Sequence, residues 1–138
     1  GVRLDGQANL HFLKGESKSR ANLGGATISE ARGALSKDGG RPTATSLLFV
    51  ADRLMEGEGE RRDVGRRIRN EVASKAAPAA RISHMLFTMS GNAIPQAQRD
   101  DLTAADAARP HFSVHLHIDD HQAFIRTCYE RALALGDD

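Results

Sequence analysis

The stretch HFSVHLHI, residues 111–118, constrains the fold more than any other part of the chain, because its polar and apolar residues alternate strictly. This period of two predicts a β-strand with one face of histidines and serine and one apolar face. The short apolar run 81–89 predicts a second, buried strand, and helical patterns fill 95–108 and 120–135. The β-α-β-α order predicts a parallel pair of strands joined by a right-handed crossover.

The N-terminal residues have a weaker β pattern. Asp5-Gly6 lies between alternating apolar residues, which predicts a hairpin over 2–13 or, because the first arm is very short, a single strand around 8–13. The following residues 14–26, KGESKSRANLGGA, are polar and rich in glycine and serine. We expect them to form a flexible polar loop.

Three segments in the middle of the chain have helical patterns. Thr27 and Glu30 have the spacing of a capping box, which predicts the start of a helix over 28–38. Apolar residues recur every four positions in 60–76, as on the buried stripe of a helix. Residues 43–56 fit both a helix and a buried strand, and we favour the helix because the apolar pattern continues beyond eight residues.

Length and composition restrict the class of protein. The 138 residues fit a single domain, 1–138, and nearly equal numbers of basic and acidic residues, 19 and 18, argue against a uniformly basic nucleic-acid binder. No apolar run is long enough to span a membrane and no signal-peptide pattern is present, so we expect a cytoplasmic protein with no membrane contact. The patterns together predict an α/β or α+β domain, with a sheet of roughly three to five strands covered by about four helices.

Four of the six histidines fall within residues 111–122. His115 and His117 share one face of the predicted strand at a spacing of about 6.5–7 Å, and two imidazoles at that spacing can converge on one metal ion. His121, just beyond the strand, could supply a third ligand for a divalent metal such as Zn²⁺ or Mn²⁺. Alternatively, Asp119 and Gln122 have the spacing of a helix cap, and the histidines then form the solvent side of an antiparallel or edge strand, or a subunit interface.

His115-Leu116-His117 resembles the His-hydrophobic-His motif of the rolling-circle and relaxase nucleases. That resemblance implies a divalent metal on paired strand histidines and a tyrosine on a helix that attacks DNA. Tyr129 is the one tyrosine of the chain, and it falls in the apolar stripe of the predicted last helix. This position favours core packing over catalysis for Tyr129, and Cys128 in the same stripe is expected to be a small buried residue.

Two basic groups are candidates for binding phosphate or an acidic partner. Arg62, Arg66 and Arg69 recur along the face of the predicted helix 60–76 that lies opposite its apolar stripe. Lys18 and Arg20 belong to the predicted loop. A solvated helix face, balanced by neighbouring acidic residues, is the alternative interpretation of the arginines.

Three functional hypotheses follow from these features. The first is a non-catalytic interaction or assembly module, homo-oligomeric and part of a larger complex, because no coherent catalytic set is present. The second is a small metal-dependent enzyme acting on phosphodiesters, with His115, His117 and His121 as ligands and the arginines holding phosphate. The third is a nucleic-acid or nucleotide binder that uses the arginine ridge, and salt-dependent binding would single it out.

Overall fold

Four strands form one sheet, in the order β1-β2-β3-β4. The computed structural model describes residues 1–7, 9–74, 79–104 and 109–135. The strands are β1 (Val2–Leu4), β2 (Leu10–Arg20), β3 (Ile82–Ser90) and β4 (His111–His117). The first two strands are antiparallel, with Val2 opposite Phe12, so the hairpin prediction is confirmed.

The other strand pairs run parallel. The amide of His84 donates to Pro110 O at 3.0 Å, and the amide of Ile118 donates to Ser90 O at 2.9 Å, so β3 and β4 advance together. These bonds place residue 84 beside 111 and residue 90 beside 117. Just before β3, the Arg81 side chain donates to Leu10 O at the start of β2, and just after β3, Gly91 N donates to Ala21 O at 3.0 Å. β2 therefore has the same direction as β3. The predicted parallel pair is therefore present within a mixed, curled sheet.

Over the described ranges five helices accompany the sheet, and the chain is a single small α+β domain, which confirms the predicted fold class. The helices are α1 (Gly25–Ser36), α2 (Ala44–Met55), α3 (Glu60–Ser74), α4 (Gln96–Thr103) and α5 (His121–Ala134), with 3-10 turns at Lys37–Gly40 and Ala79–Arg81. The helical interpretation of 43–56 is confirmed by α2. The predicted ends of the helices over 60–76 and 95–108 include residues outside the described ranges. None of the helices in those ranges is both long and apolar enough to cross a membrane.

The predicted polar loop 14–26 is wrong, because β2 continues to Arg20 and α1 begins at Gly25. The strand persists through polar residues because backbone hydrogen bonds to neighbouring strands hold it, whatever its side chains. The capping box is also wrong. Thr27 lies inside α1, where its amide donates to Gly24 O at 3.1 Å, and the Glu30 carboxylate accepts a hydrogen bond from Lys18 instead.

Asp5 fixes the β1-β2 turn. Its carboxylate accepts the amides of Gln7 and Asn9 at 2.9 and 2.8 Å, and it pairs with His11 Nε2 at 2.9 Å. The backbone hydrogen bond from Asn9, followed by the His11 side chain, holds the pKa of Asp5 well below its usual range. Because these hydrogen bonds stabilise the turn, the first arm forms a hairpin although it is short.

The chain divides into two compact units. Unit 1 comprises Gly1–Gly15, Leu35–Met85 and Asp106–His111, and unit 2 comprises Glu16–Ala34, Leu86–Ala105 and Phe112–Asp138. Unit 1 contains the apolar core, in which α2 and α3 pack together and five buried side chains form one cluster: Leu10, Phe12, Ala51, Ile68 and Ile82. Unit 2 buries apolar residues of α1, and it also buries polar side chains, including Thr88, Ser90, Gln98 and His121.

Candidate functional site

The polar face of β4 is the covered face. His111, Ser113 and His115 are half-buried, whereas Phe112 and Leu116, on the opposite face, are 52% and 45% exposed. The predicted alternation is therefore present, but the interpretation of the histidine face as the solvent side of the strand is wrong. A polar face of β4 can be covered here because buried polar residues of β3 lie beside it.

A hydrogen-bonded network within unit 2 occupies this covered face. Thr88 Oγ1 donates to Gln98 Oε1 at 2.8 Å, and Gln98 Nε2 donates to Ser113 Oγ at 2.8 Å. His115 Nδ1 lies 2.9 Å from Thr88 Oγ1, and its Nε2 lies 3.2 Å from Asn92 O. Both nitrogens of His115 thus have protein partners, and the network satisfies the polar groups that burial would otherwise penalise.

His117 and His121 have different surroundings. His117 Nε2 is 3.2 Å from Gly91 O and 3.6 Å from an oxygen of the exposed Asp119. His121 is buried, and its Nε2 is 2.8 Å from Ser19 Oγ. The structure therefore does not bring the three predicted ligands together. Over the described ranges, no group of three or more histidine, cysteine, aspartate or glutamate side chains is placed to hold a metal ion.

The predicted cap of α5 is shifted by one residue. Asp120, not Asp119, is the N-cap, and its carboxylate accepts the amide of Ala123 at 3.2 Å. The acidic pair after β4 therefore contributes one helix cap and one exposed side chain.

A cluster of charged side chains lies on β2 and α1, within unit 2. Glu16 and Lys18 are two residues apart on the strand and so project to the same face. Lys18 Nζ lies 3.1 Å from Glu16 Oε1 and 2.6 Å from Glu30 Oε1. The Lys18 side chain is only 14% exposed, whereas Glu30 is 61% exposed. We name Glu16, Lys18 and Glu30 the carboxylate-lysine site.

The charges of this site perturb one another. The hydrogen bond from Lys18 lowers the pKa of Glu30, and the nearby charge of Arg20 lowers it further. In return, hydrogen bonds to Glu30 and then to Glu16 raise the pKa of Lys18. Both shifts favour the ion pair of Lys18 with Glu30, and the exposed Arg20 guanidinium donates to Ser19 O at 3.0 Å.

The predicted arginine ridge lies on α3, in unit 1. Arg69 pairs with Asp52 of α2 at 2.6 Å, and Arg66 lies 3.5 Å from Asp63. All three ridge arginines are exposed. Two of the three thus have carboxylate partners on the protein, which reduces the charge available to a ligand, and their role in phosphate or partner binding stays a prediction.

The sequence reasoning included Lys18 but missed Glu16 and Glu30. Glu16 was assigned to a loop, where its alternation with Lys18 has no meaning. Glu30 was assigned to a capping box. The available signal was the alternation of Glu16 and Lys18, because it keeps the period of two that Leu10 and Phe12 begin.

Unit 2 also exposes large apolar side chains that the sequence pattern predicted to be in the core. Tyr129 is 69% exposed and Leu133 is 72% exposed on α5, where Cys128 is exposed too. The core prediction for Tyr129 and Cys128 is therefore wrong. Of the residues of α5, His121 is buried and Ile125 is half-buried, so the helix leaves most of its apolar stripe uncovered.

The fold and the site define a small α+β protein with a mixed sheet, a charged cluster at the end of one strand and an uncovered apolar surface. Residues 1–132 match the family model of HamA, so the chain belongs to the HamA family. No curated protein matches the sequence significantly.

Proposed function

We propose that the chain is a Mg²⁺- or Mn²⁺-dependent hydrolase of phosphodiesters that acts at the carboxylate-lysine site. The observation that carries this proposal is the Lys18 ammonium held between the carboxylates of Glu16 and Glu30. The second hypothesis from the sequence was also a metal-dependent enzyme acting on phosphodiesters, but the present proposal replaces its histidine ligands with carboxylates. It does so because the imidazoles of His115 and His121 have protein partners.

The donor set fits a hard divalent cation. Magnesium in phosphate-handling sites is held by one or two carboxylates together with substrate phosphates and water, and it does not require a cage of protein ligands. Glu16 and Glu30 offer two carboxylates that already share one positive charge, the Lys18 ammonium. When bound, the metal ion polarises the phosphoryl oxygen and lowers the pKa of its water.

The protein residues have separate roles in this proposal. Glu16 and Glu30 hold the cation. Lys18, once it is no longer shared by both carboxylates, donates hydrogen bonds to the phosphate oxygens, where negative charge develops during hydrolysis. Arg20, exposed at the end of β2, contributes a second cationic group for an adjacent phosphate.

The test is cleavage of end-labelled single-stranded DNA, double-stranded DNA and RNA with Mg²⁺, with Mn²⁺ and with EDTA. We expect cleavage that requires the metal and falls at least about 100-fold in Glu16→Gln and Lys18→Met variants. Calorimetric titration with Mn²⁺ supplies a second readout, and we expect Glu16→Gln to weaken binding.

The matched control is Glu56→Gln. Glu56 is an exposed glutamate that pairs with Arg53 on α2, so its loss removes a carboxylate of the same kind in unit 1. It should retain both metal binding and cleavage. Absence of cleavage on all three substrates, or equal effects of Glu16→Gln and Glu56→Gln, would contradict the proposal.

A second candidate function is the first hypothesis from the sequence, a non-catalytic interaction or assembly module. It is favoured by the apolar side chains that β4 and α5 leave uncovered in unit 2. Hydrogen exchange of the β4 and α5 amides at low and high protein concentration tests it. Slower exchange in these two elements at high concentration is expected, whereas unchanged exchange would argue against self-assembly through this surface.

A further inference from the structure

β4 is the last strand of the sheet, so among the residues that the structure describes, one of its two edges has no strand beside it. The bonds from β3 use the carbonyl of Pro110 and the amide of Ile118. In a parallel ladder this leaves the amides and carbonyls of the odd-numbered residues pointing away from β3. Those residues are His111, Ser113, His115 and His117.

The sequence of β4 does not protect this edge. Edge strands of natural proteins are blunted by lysine, proline, bulges or inward-pointing charges that prevent pairing with another chain. HFSVHLH contains no lysine and no proline. Its uncovered face presents Phe112, Val114 and Leu116, which are 52%, 43% and 45% exposed.

We propose that β4 pairs antiparallel with β4 of a second copy of this chain, about a two-fold axis at Val114. This register is self-complementary. It sets Ser113 beside the partner's His115 as a hydrogen-bonded pair, because both residues have edge groups that face outward. It also sets Phe112 beside the partner's Leu116 and Val114 beside the partner's Val114, so the apolar rows of the two copies continue each other.

The exposed area is of the size that a dimer interface needs. The exposed fractions of seven large side chains of β4 and α5 amount together to about four fully exposed side chains, or roughly 600–800 Å² at about 150–200 Å² each. The seven are Phe112, Val114, Leu116, Phe124, Tyr129, Leu133 and Leu135. A standard interface buries about 800 Å² on each partner, and the largest apolar patch of a typical monomer is about 300–600 Å². A second copy supplies a matching edge and a matching apolar surface at once.

This inference rests on the second candidate function, and it is independent of the proposed hydrolase activity. Glu16, Lys18 and Glu30 lie on other elements, so dimer formation and phosphodiester cleavage can be measured separately. Loss of cleavage with an intact dimer would contradict only the hydrolase, and a monomer that cleaves would contradict only the pairing.

The first experiment is sedimentation equilibrium of the whole chain over about 1–100 µM, because association depends on concentration. We expect twice the chain mass for the wild type and a single chain mass for Val114→Lys. Leu48→Lys is the matched control, since Leu48 is an exposed leucine on α2, and it should remain dimeric. A monomeric wild type, or a Val114→Lys dimer, would overturn the proposal.

The second experiment tests the register. In a Cys128→Ser background, Val114→Cys places two thiols across the two-fold axis with Cα atoms about 4.5 Å apart, within disulfide reach. Oxidised glutathione should then join the two copies by one disulfide, being itself reduced to two glutathione molecules. Phe112→Cys should not cross-link, because its equivalent in the second copy lies about four residues away along the strand, roughly 14 Å. Equal cross-linking of both variants would overturn this register.

Discussion

Gly65 of α3 lies directly against the backbone of α2, and Gly65→Ala is therefore a sensitive probe of the core of unit 1. A Cβ built on Gly65 would lie 2.8 Å from the carbonyl oxygen of Ala51 and 3.2 Å from the amide nitrogen of Met55. Both atoms belong to the backbone of α2 and cannot rotate away. Adding a methyl group must therefore push the two helices apart.

Two effects of opposite sign decide the result. Alanine is favoured over glycine inside a helix by about 0.8–1 kcal/mol. Overpacking a well-filled interface costs about 1–3 kcal/mol, and a clash with backbone belongs to the upper part of that range. We therefore expect Gly65→Ala to lower the free energy of unfolding by about 1 kcal/mol or more, and the Tm by about 3 °C or more for a chain of this size.

Gly33 on α1 is the matched control. It is exposed, and a Cβ at this position would meet no atom within 4 Å. Gly33→Ala should therefore show the helix preference alone, with a gain of about 0.5–1 kcal/mol. Urea and thermal unfolding followed by circular dichroism at 222 nm measures both variants. Stabilisation by both substitutions, or destabilisation of similar size, would refute the packing argument.

Three further predictions concern hydrogen bonds and charges. Asp5→Asn should lower the urea midpoint at neutral pH. Because the Asn9 amide depresses the folded-state pKa of Asp5, the difference from wild type should shrink as the pH falls below about 4. Thr88→Val leaves buried polar partners unsatisfied and should cost about 1–3 kcal/mol in urea unfolding, whereas Thr88→Ser should cost less. Lys18→Met should raise the pKa of Glu30 towards its ordinary value, as read from the carboxyl ¹³C shift in an NMR titration.

The sequence was informative where the hydrophobic period was strong. β3, β4 and α5 begin and end within one or two residues of their predicted bounds. β4 and α5 have a clear period, and β3 is a short apolar run rich in β-forming residues. The second half of β2 was missed for the converse reason. Its side chains from Lys14 to Arg20 are polar or absent, so the strand is specified by its neighbours in the sheet, and no local pattern records them.

The candidate site was harder to predict than the fold, because its residues are far apart in the sequence. Lys18 was identified as a basic residue, but its contact with Glu30 depends on where α1 lies beside β2. The histidines were conspicuous in the sequence, and yet the structure gives His115 and His121 hydrogen-bond partners inside the protein. Their closeness in the sequence therefore wrongly suggested that they would meet at one site in the fold.

The burial of β4 shows a further limit of sequence periodicity. Alternation divides a strand into two faces but does not say which face is covered, and the usual assumption buries the apolar one. Here β3 presents Thr88 and Ser90 fully buried beside β4, and the polar face of β4 faces inward, where His115 forms a hydrogen bond with Thr88. The apolar face must then point outward, where it gains nothing until another surface covers it. Polar residues inside and apolar residues outside are therefore two results of one register, and they are the physical reason for seeking a partner at β4.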